Sequence, residues 1–262
     1  MNRILRTFFI FLLLLSTRSA FAQPIHHEQN NTKDNGSYTA KLALSKNLNG
    51  LTAIQSMQYQ VPRQTSADLD TLYSQANDAQ QELAQLLNMI TAQSQTQSQL
   101  ANIKSRERAE AKVHNKLNND ASQLTDIVRA SIVSDDIHNL MQAFEIIKSD
   151  SQLIQVKNRF ANPKESGYRD LNLLVKLPKS QMIAEVQLHL ADIAEIKSGA
   201  EHEVYEQVQS IQASAMQQQR HLNDIETAKI TQLRQESHKL YHKAWLRYKR
   251  NDQANVITAA AA

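Results

Sequence analysis

The chain has 262 residues and no cysteine, which excludes disulfides and a lipid-attachment site of the bacterial lipoprotein type. Of its 29 Lys+Arg, three (Arg3, Arg6 and Arg18) lie in residues 1–22, which hold no acid; removing them leaves 26 bases against 26 acids. The basic balance therefore gives no argument for a nucleic-acid partner, and only four Gly and four Pro favour long helices over an all-β fold.

Residues 1–22 read as a secretory signal peptide. Arg3 and Arg6 form a positive start, Phe8 to Leu15 is an unbroken apolar run, and Ala20-Phe21-Ala22 is a cleavage site before Gln23. The run is too short to span a bilayer as a helix, so the expected destination is the periplasm or beyond. Residues 23–62 are polar and aperiodic and read as a flexible tail. His26-His27 lies there with no third ligand at a metal-binding spacing, and reads as part of the solvated tail.

From about Thr65 the pattern is helical. Leu69, Leu72, Tyr73, Ala76, Leu83, Leu86 and Ile90 form one apolar stripe, which weakens over 91–99. A second, charged helix is predicted over about 100–118. "DIVRASIV" (126–133) is short and β-branched, hence a strand. Asp135-Asp136 caps a helix to about Ile147, and "QLIQVKNRF" (152–160) is a second strand. A loop over 161–167 leads to strands at about 168–177 and 182–190, joined by Pro178-Lys179-Ser180-Gln181. Residues 192–248 read as two helices broken near Ser210 to Ser214, and 249–262 as a disordered tail.

The last two strands form a hairpin with unlike faces, because successive side chains point to opposite sides. Leu171, Leu173, Val175 and Leu177 share a face with Met182, Ala184, Val186, Leu188 and Leu190. The other face gathers Tyr168, Asp170, Asn172, Glu185, Gln187 and His189. One wet face is ordinary for an antiparallel sheet. This set, however, is poor in strand formers, and a binding surface explains it better than solvent does.

These residues carry a resemblance. "VKNRFANPKESGYRDLNLLVKLP…AEVQLHL…EHEVYE", preceded by "LTDIVRASIVSDDIHNLMQAFEII", resembles the synthetase domain of the RelA/SpoT family over about Lys104 to Ser210. The resemblance implies an α+β nucleotidyltransferase-type fold: a mixed or antiparallel sheet of four to five strands with one open polar face, flanked by long N- and C-terminal helices. The domain would span 63–248, with its core at 104–210. It also implies transfer of pyrophosphate from ATP to the 3′-hydroxyl of GDP or GTP, with Mg²⁺ as cofactor.

Carried over by resemblance, Tyr168 would stack on the acceptor guanine, in a G-Y-x-S-x-H motif whose Ser and His are here Asp170 and Asn172. Glu185 and Gln187 match E-x-Q-x-R-T, whose Arg and Thr are here His189 and Leu190. Asp126 and Glu185 would act in catalysis and hold the metal. Asp126 opens a D-x-x-x-x-R stretch in which Ser131 replaces the Arg, with Arg129 three residues on. Arg106, Arg108, Lys112 and Lys116 look like the ATP-binding segment, and Lys157, Arg159 and Lys164 like phosphate-side cations. His202 and Tyr205 match a helical "EH…Y" element. The physics suits this work: carboxylates hold Mg²⁺, a carboxylate accepts the hydroxyl proton, and Arg and Lys clamp phosphates. The same basic residues, interleaved with Glu107 and Glu110, also suit a solvated helix face.

Three functions follow: an active pyrophosphokinase, exported as an effector; a non-catalytic nucleotide or partner binder on the same fold; or an interaction protein working through the stripes Val204, Val208, Ile211 and Leu233, Leu240, Leu246. RNA enters only as a possible 3′-end acceptor.

Overall fold

A six-stranded open mixed sheet organises the protein. The computed structural model describes residues 46–260; the predicted signal peptide, His26-His27 and the tail up to residue 45 lie outside the described residues. The described part falls within one compact unit, Leu44–Ala262. In chain order the elements are α1 (Leu48–Ala53), β1 (Met57–Gln58), α2 (Leu69–Ser94), β2 (Gln97–Leu100), α3 (Arg106–Lys116), β3 (Arg129–Ser134), α4 (Ile137–Asp150), β4 (Gln152–Asn158), β5 (Leu171–Lys176), β6 (Ile183–Leu190), α5 (Ala191–Ser198), α6 (Ala200–Gln217) and α7 (Asp224–Ala260).

The strand order is β1-β4-β5-β6-β3-β2, with β3 and β6 parallel and every other pair antiparallel. The predicted hairpin faces hold: Asn172 faces Gln187 and Leu174 faces Glu185 on one side, while Leu173 faces Val186 on the other. The sheet has six strands rather than four or five. The two extra strands are short and lie at the edges, where polar Gln97–Leu100 pairs with β3 and Met57–Gln58 with β4. Such residues carry no alternation for periodicity to detect. The β3 strand starts at Arg129, so Asp126 sits in the preceding loop while Ile127 and Val128 enter the core.

Helices α2 and α4 pack on the apolar face, burying Leu72, Leu83, Ile90, Leu140 and Phe144 against Leu173, Val186 and Leu188. The α2 helix runs four residues past Ile90, ending where Gln95 adopts a left-handed conformation. Glu82, buried in its middle, accepts hydrogen bonds from the Lys179 and Ser180 amides at 2.6 and 3.0 Å, fixing the β5–β6 turn. Among the described residues, no helix is long and apolar enough to cross a membrane.

Two predicted tails are partly structured. Residues 48–58, assigned to a flexible tail, form α1 and β1. Asn47 caps α1 by accepting from the Gly50 amide at 3.0 Å. Buried Asn158 then clasps the segment, donating to the Leu51 and Ile54 carbonyls at 2.8 and 2.9 Å while accepting from the Phe160 and Ala161 amides. At the other end α7 continues to Ala260, through the tail predicted to be disordered from 249. Asp252 on α7 accepts from the Leu48 amide at 3.0 Å. The C-terminal helix break falls between Gln217 and Asp224 instead of near 210–214. There Gln219 turns left-handed, and Asn223 and Glu226 form a reciprocal capping pair.

The Asn158 clasp generates a prediction. Asn158→Leu leaves two buried carbonyls and two amides unpaired, and should destabilise the fold by about 2–4 kcal/mol in chemical denaturation. A loss below 1 kcal/mol would mean that the α1 segment is not anchored through this residue.

Candidate active site

The polar sheet face remains accessible over Glu185 and Gln187 and is roofed by the C-terminal helices over Tyr168, Asp170 and His189, which are buried. Two cavities open onto it. One, of about 470 Å³, is lined by Lys112, Asp126, Lys157, Arg159, Asn172 and Glu185, among others. The second, of about 1000 Å³, is lined by Arg108, Arg129, Lys164, Tyr168, Gln187 and Lys197, among others, and reaches His202 and Tyr205 on α6. Glu185 and Arg159 line both cavities.

Glu185 is half-buried at the centre of the sheet, opposite Leu174 of β5 and Arg129 of β3. Its Oε1 accepts from Asn172 Nδ2 and, at 2.9 Å, from Gln187 Nε2. Both neighbours are neutral amides, so they orient the carboxylate without neutralising it. Asp126 is differently placed. Its Oδ2 pairs with Lys112 at 2.9 Å and with Lys104 at 3.1 Å, while Oδ1 is buried without a partner. Burial pushes the Asp126 pKa up, but the two ammonium groups outweigh burial and hold it below the usual carboxylate range.

Beneath the larger cavity lies a closed polar network. Asp170, fully buried, accepts from Arg159 Nη1 through both oxygens at 2.7 and 2.9 Å, and from the Tyr168 hydroxyl at 2.7 Å. His189 Nε2 lies 2.7 Å from the same hydroxyl oxygen. With the tyrosine proton directed to Asp170, the imidazole donates Nε2–H to Tyr168 and leaves Nδ1 buried without a partner. Burial, reinforced by Lys197 and Arg159, drives the His189 pKa well below its ordinary value, so the ring is neutral. Burial also raises the Tyr168 hydroxyl well above its usual range, with Asp170 adding to the effect.

The α7 helix closes this network. Tyr241 meets the Tyr168 ring edge-on at 5.7 Å and donates to Glu201 at 3.0 Å. Gly167 permits the approach: its φ is +80°, and a Cβ there would lie 3.1 Å from the His238 backbone.

The predicted site residues thus divide. Asp126, Glu185, Asn172, Gln187, Tyr168, Arg108, Lys112, Lys157, Arg159 and Lys164 line the two cavities. Asp170 lines neither and acts through Arg159 and Tyr168; His189 supports Tyr168 from below. Arg106 and Lys116 also line neither: Arg106 is exposed, ion-paired with Asp70 and Glu110, and stacked on Tyr73. The sequence pattern did not single out Lys104 or Lys197, and Arg129 only as the displaced arginine of the Asp126 stretch. Their convergence is long-range, and single basic residues give no periodic signal.

Residues 101–210 match the family model described as the region found in RelA/SpoT proteins. That part of the chain carries the RelA/SpoT region, less than half of the 262 residues. No curated protein matches the sequence. Among solved structures, a GTP pyrophosphokinase family protein from Streptococcus pneumoniae is similar at 16% identity and TM-score 0.51, over 74% of this chain and 98% of that one. The Type VI effector Tas1, solved in complex with its immunity protein, is similar at 20% identity and TM-score 0.50, over 70% and 97% of the two chains. At these identities the likeness establishes the fold.

The buried imidazole gives a pH prediction. Above the unfolded histidine pKa, neither state carries the proton. Below it, the unfolded chain takes up a proton that folded His189 refuses, so stability falls with pH. Relative to His189→Gln, which keeps a donor toward Tyr168, the wild type should lose up to about 1.4 kcal/mol per pH unit between about pH 6.5 and 5. Parallel stability curves for the two proteins would refute the assignment.

Proposed function

We propose that the protein is an exported pyrophosphokinase that transfers pyrophosphate from ATP to the 3′-hydroxyl of GDP, GTP or a related purine nucleotide. The observation that carries this reading is Glu185, which stands on the shared wall of two cation-lined cavities. A donor nucleotide on the Asp126 side and an acceptor on the Tyr168 side would meet at this carboxylate. The likeness to a GTP pyrophosphokinase family protein supports the same class of chemistry. Export rests on the pattern of residues 1–22.

In the proposed reaction Glu185 accepts the proton of the acceptor 3′-hydroxyl. The oxygen attacks the β-phosphorus of ATP, the bond from that phosphorus to the α-phosphate bridging oxygen breaks, and AMP departs. Asn172 and Gln187 hold Glu185 in place. Lys112, Lys157 and Arg159 face the triphosphate, and Arg159 is itself fixed by Asp170.

Asp126 and Glu185 fit a Mg²⁺ site supplied by few protein ligands: both line one cavity, and Asp126 Oδ1 is unpartnered. Among the described residues, no cluster of three or more His, Cys, Asp or Glu could hold a metal by itself. Phosphate oxygens and water would complete the coordination. When bound, the ion neutralises phosphate charge. The alternative of a nucleotide-binding module without turnover is favoured by the two lysines on Asp126, which already compensate its charge.

The test is transfer of label from ATP to GDP, GTP, ADP or tRNA in the presence of Mg²⁺. Glu185→Gln should lower the rate by about 10²–10⁴-fold with unchanged thermal stability, and Asp126→Asn should raise the Mg²⁺ requirement. Nucleotide binding without transfer to any acceptor would decide for the binding module.

A further inference from the structure

On the polar face, strand β6 presents Glu185, Gln187 and His189, and none of them is a cation because buried His189 is neutral. The positive charge is delivered by the next helix. Lys197, in the last turn of α5, folds back over the strand. Its Nζ donates to Gln187 Oε1 at 2.6 Å, stands 3.5 Å from His189 Nε2, and lies 5.9 Å from the centre of the Tyr168 ring. Both polar neighbours are uncharged, and no carboxylate pairs with this ammonium among the described residues.

Lys197 is half-buried and lines the 1000 Å³ cavity. A second ammonium, Lys164, lies 5.0 Å from the centre of the same Tyr168 ring and also lacks a paired carboxylate. Lys164 is exposed to solvent, whereas burial lowers the pKa of Lys197; Asp170 and Glu185 pull the other way from beyond ion-pair distance. An ammonium removed from water without a counter-ion is destabilising unless an anion completes it. The remaining cations facing this cavity include Arg108 and Arg129, whereas Arg234 is neutralised by Glu165.

We propose that Lys197 binds a phosphate group of the nucleotide held against Tyr168. It is a cation supplied by helix α5, standing beside neutral His189. Naming the anion as a nucleotide phosphate rests on the function proposed above; the anion site itself does not. Gln187 positions the ammonium, so the site is held from the same strand that carries Glu185.

The test titrates the full chain with inorganic pyrophosphate, guanosine and GDP at low and high salt, comparing wild type, Lys197→Met and Lys197→Arg. Lys197→Met should weaken GDP and pyrophosphate by about tenfold or more, flatten their salt dependence, and leave guanosine unchanged. Its melting temperature should not fall, because a desolvated charge is replaced by an apolar side chain. Lys197→Arg should restore most of the affinity. Equal weakening of guanosine and GDP, or no weakening of GDP and pyrophosphate, would overturn the proposal. So would a wild type that binds neither anion. If Lys197→Met abolishes pyrophosphate binding in a protein that transfers nothing, the anion site stands and the transferase falls. If transfer proceeds with an unchanged acceptor KM in Lys197→Met, the transferase stands and the anion site falls.

Discussion

A carboxylate with no solvent exposure survives in a fold only if its hydrogen bonds are filled, and Asp170 sets that condition here. Burial raises its pKa, while Arg159, Tyr168 and Lys164 oppose that rise. Meeting the condition fixes three neighbours at once. Arg159 is turned to one oxygen pair, Tyr168 is held by its hydroxyl, and His189 is driven to the neutral form beside it. Each of these residues then has one geometry instead of several rotamers. The cost of burying the carboxylate is offset by a preorganised wall beneath the larger cavity.

The C-terminal helices exist in this arrangement to keep water from that network. Tyr241 and Trp245 of α7 belong to the same buried cluster as the sheet residues, and Trp245 meets both Phe160 and the Arg169 guanidinium. The close approach requires a residue without a side chain at position 167. Beyond the sheet the α6–α7 pair carries its own small core of Val208, Ile230 and Leu233. The stripe Val204, Val208 and Ile211 is therefore packed within the chain together with Leu233, whereas Leu240 and Leu246 of the second stripe are exposed.

Two carboxylates with different surroundings divide the smaller cavity. Asp126 is compensated by two lysines and keeps one oxygen unpartnered, whereas Glu185 is held by neutral amides alone. Glu185 has no ion-pair partner among the described residues, whereas Asp126 is gripped by cations and suits charge organisation. This division follows from the register of β3 against β6, which brings Arg129 beside Glu185 and places Asp126 at the mouth of the strand. It also explains why the altered motif positions do not empty the site of chemistry: Asn172 replaces a family histidine, yet it binds Glu185 directly.

The sequence by itself determined the local periodicities. The α2 and α4 stripes, the two faces of the β5–β6 hairpin, and the grouping of Tyr168, Asn172, Glu185 and Gln187 all follow from side-chain direction along one element. Three features were decided only by the tertiary structure. The edge strands β1 and β2 are polar and form because a neighbour offers unpaired backbone groups, which no alternation reveals. The helical continuation to Ala260 is tied down by contact with α1 at the opposite end of the chain. The convergence of Lys104, Arg129 and Lys197 on the polar face joins residues from separate elements, and single charges carry no period. Local patterning reports which face of an element is buried; only packing decides which distant side chains share that burial.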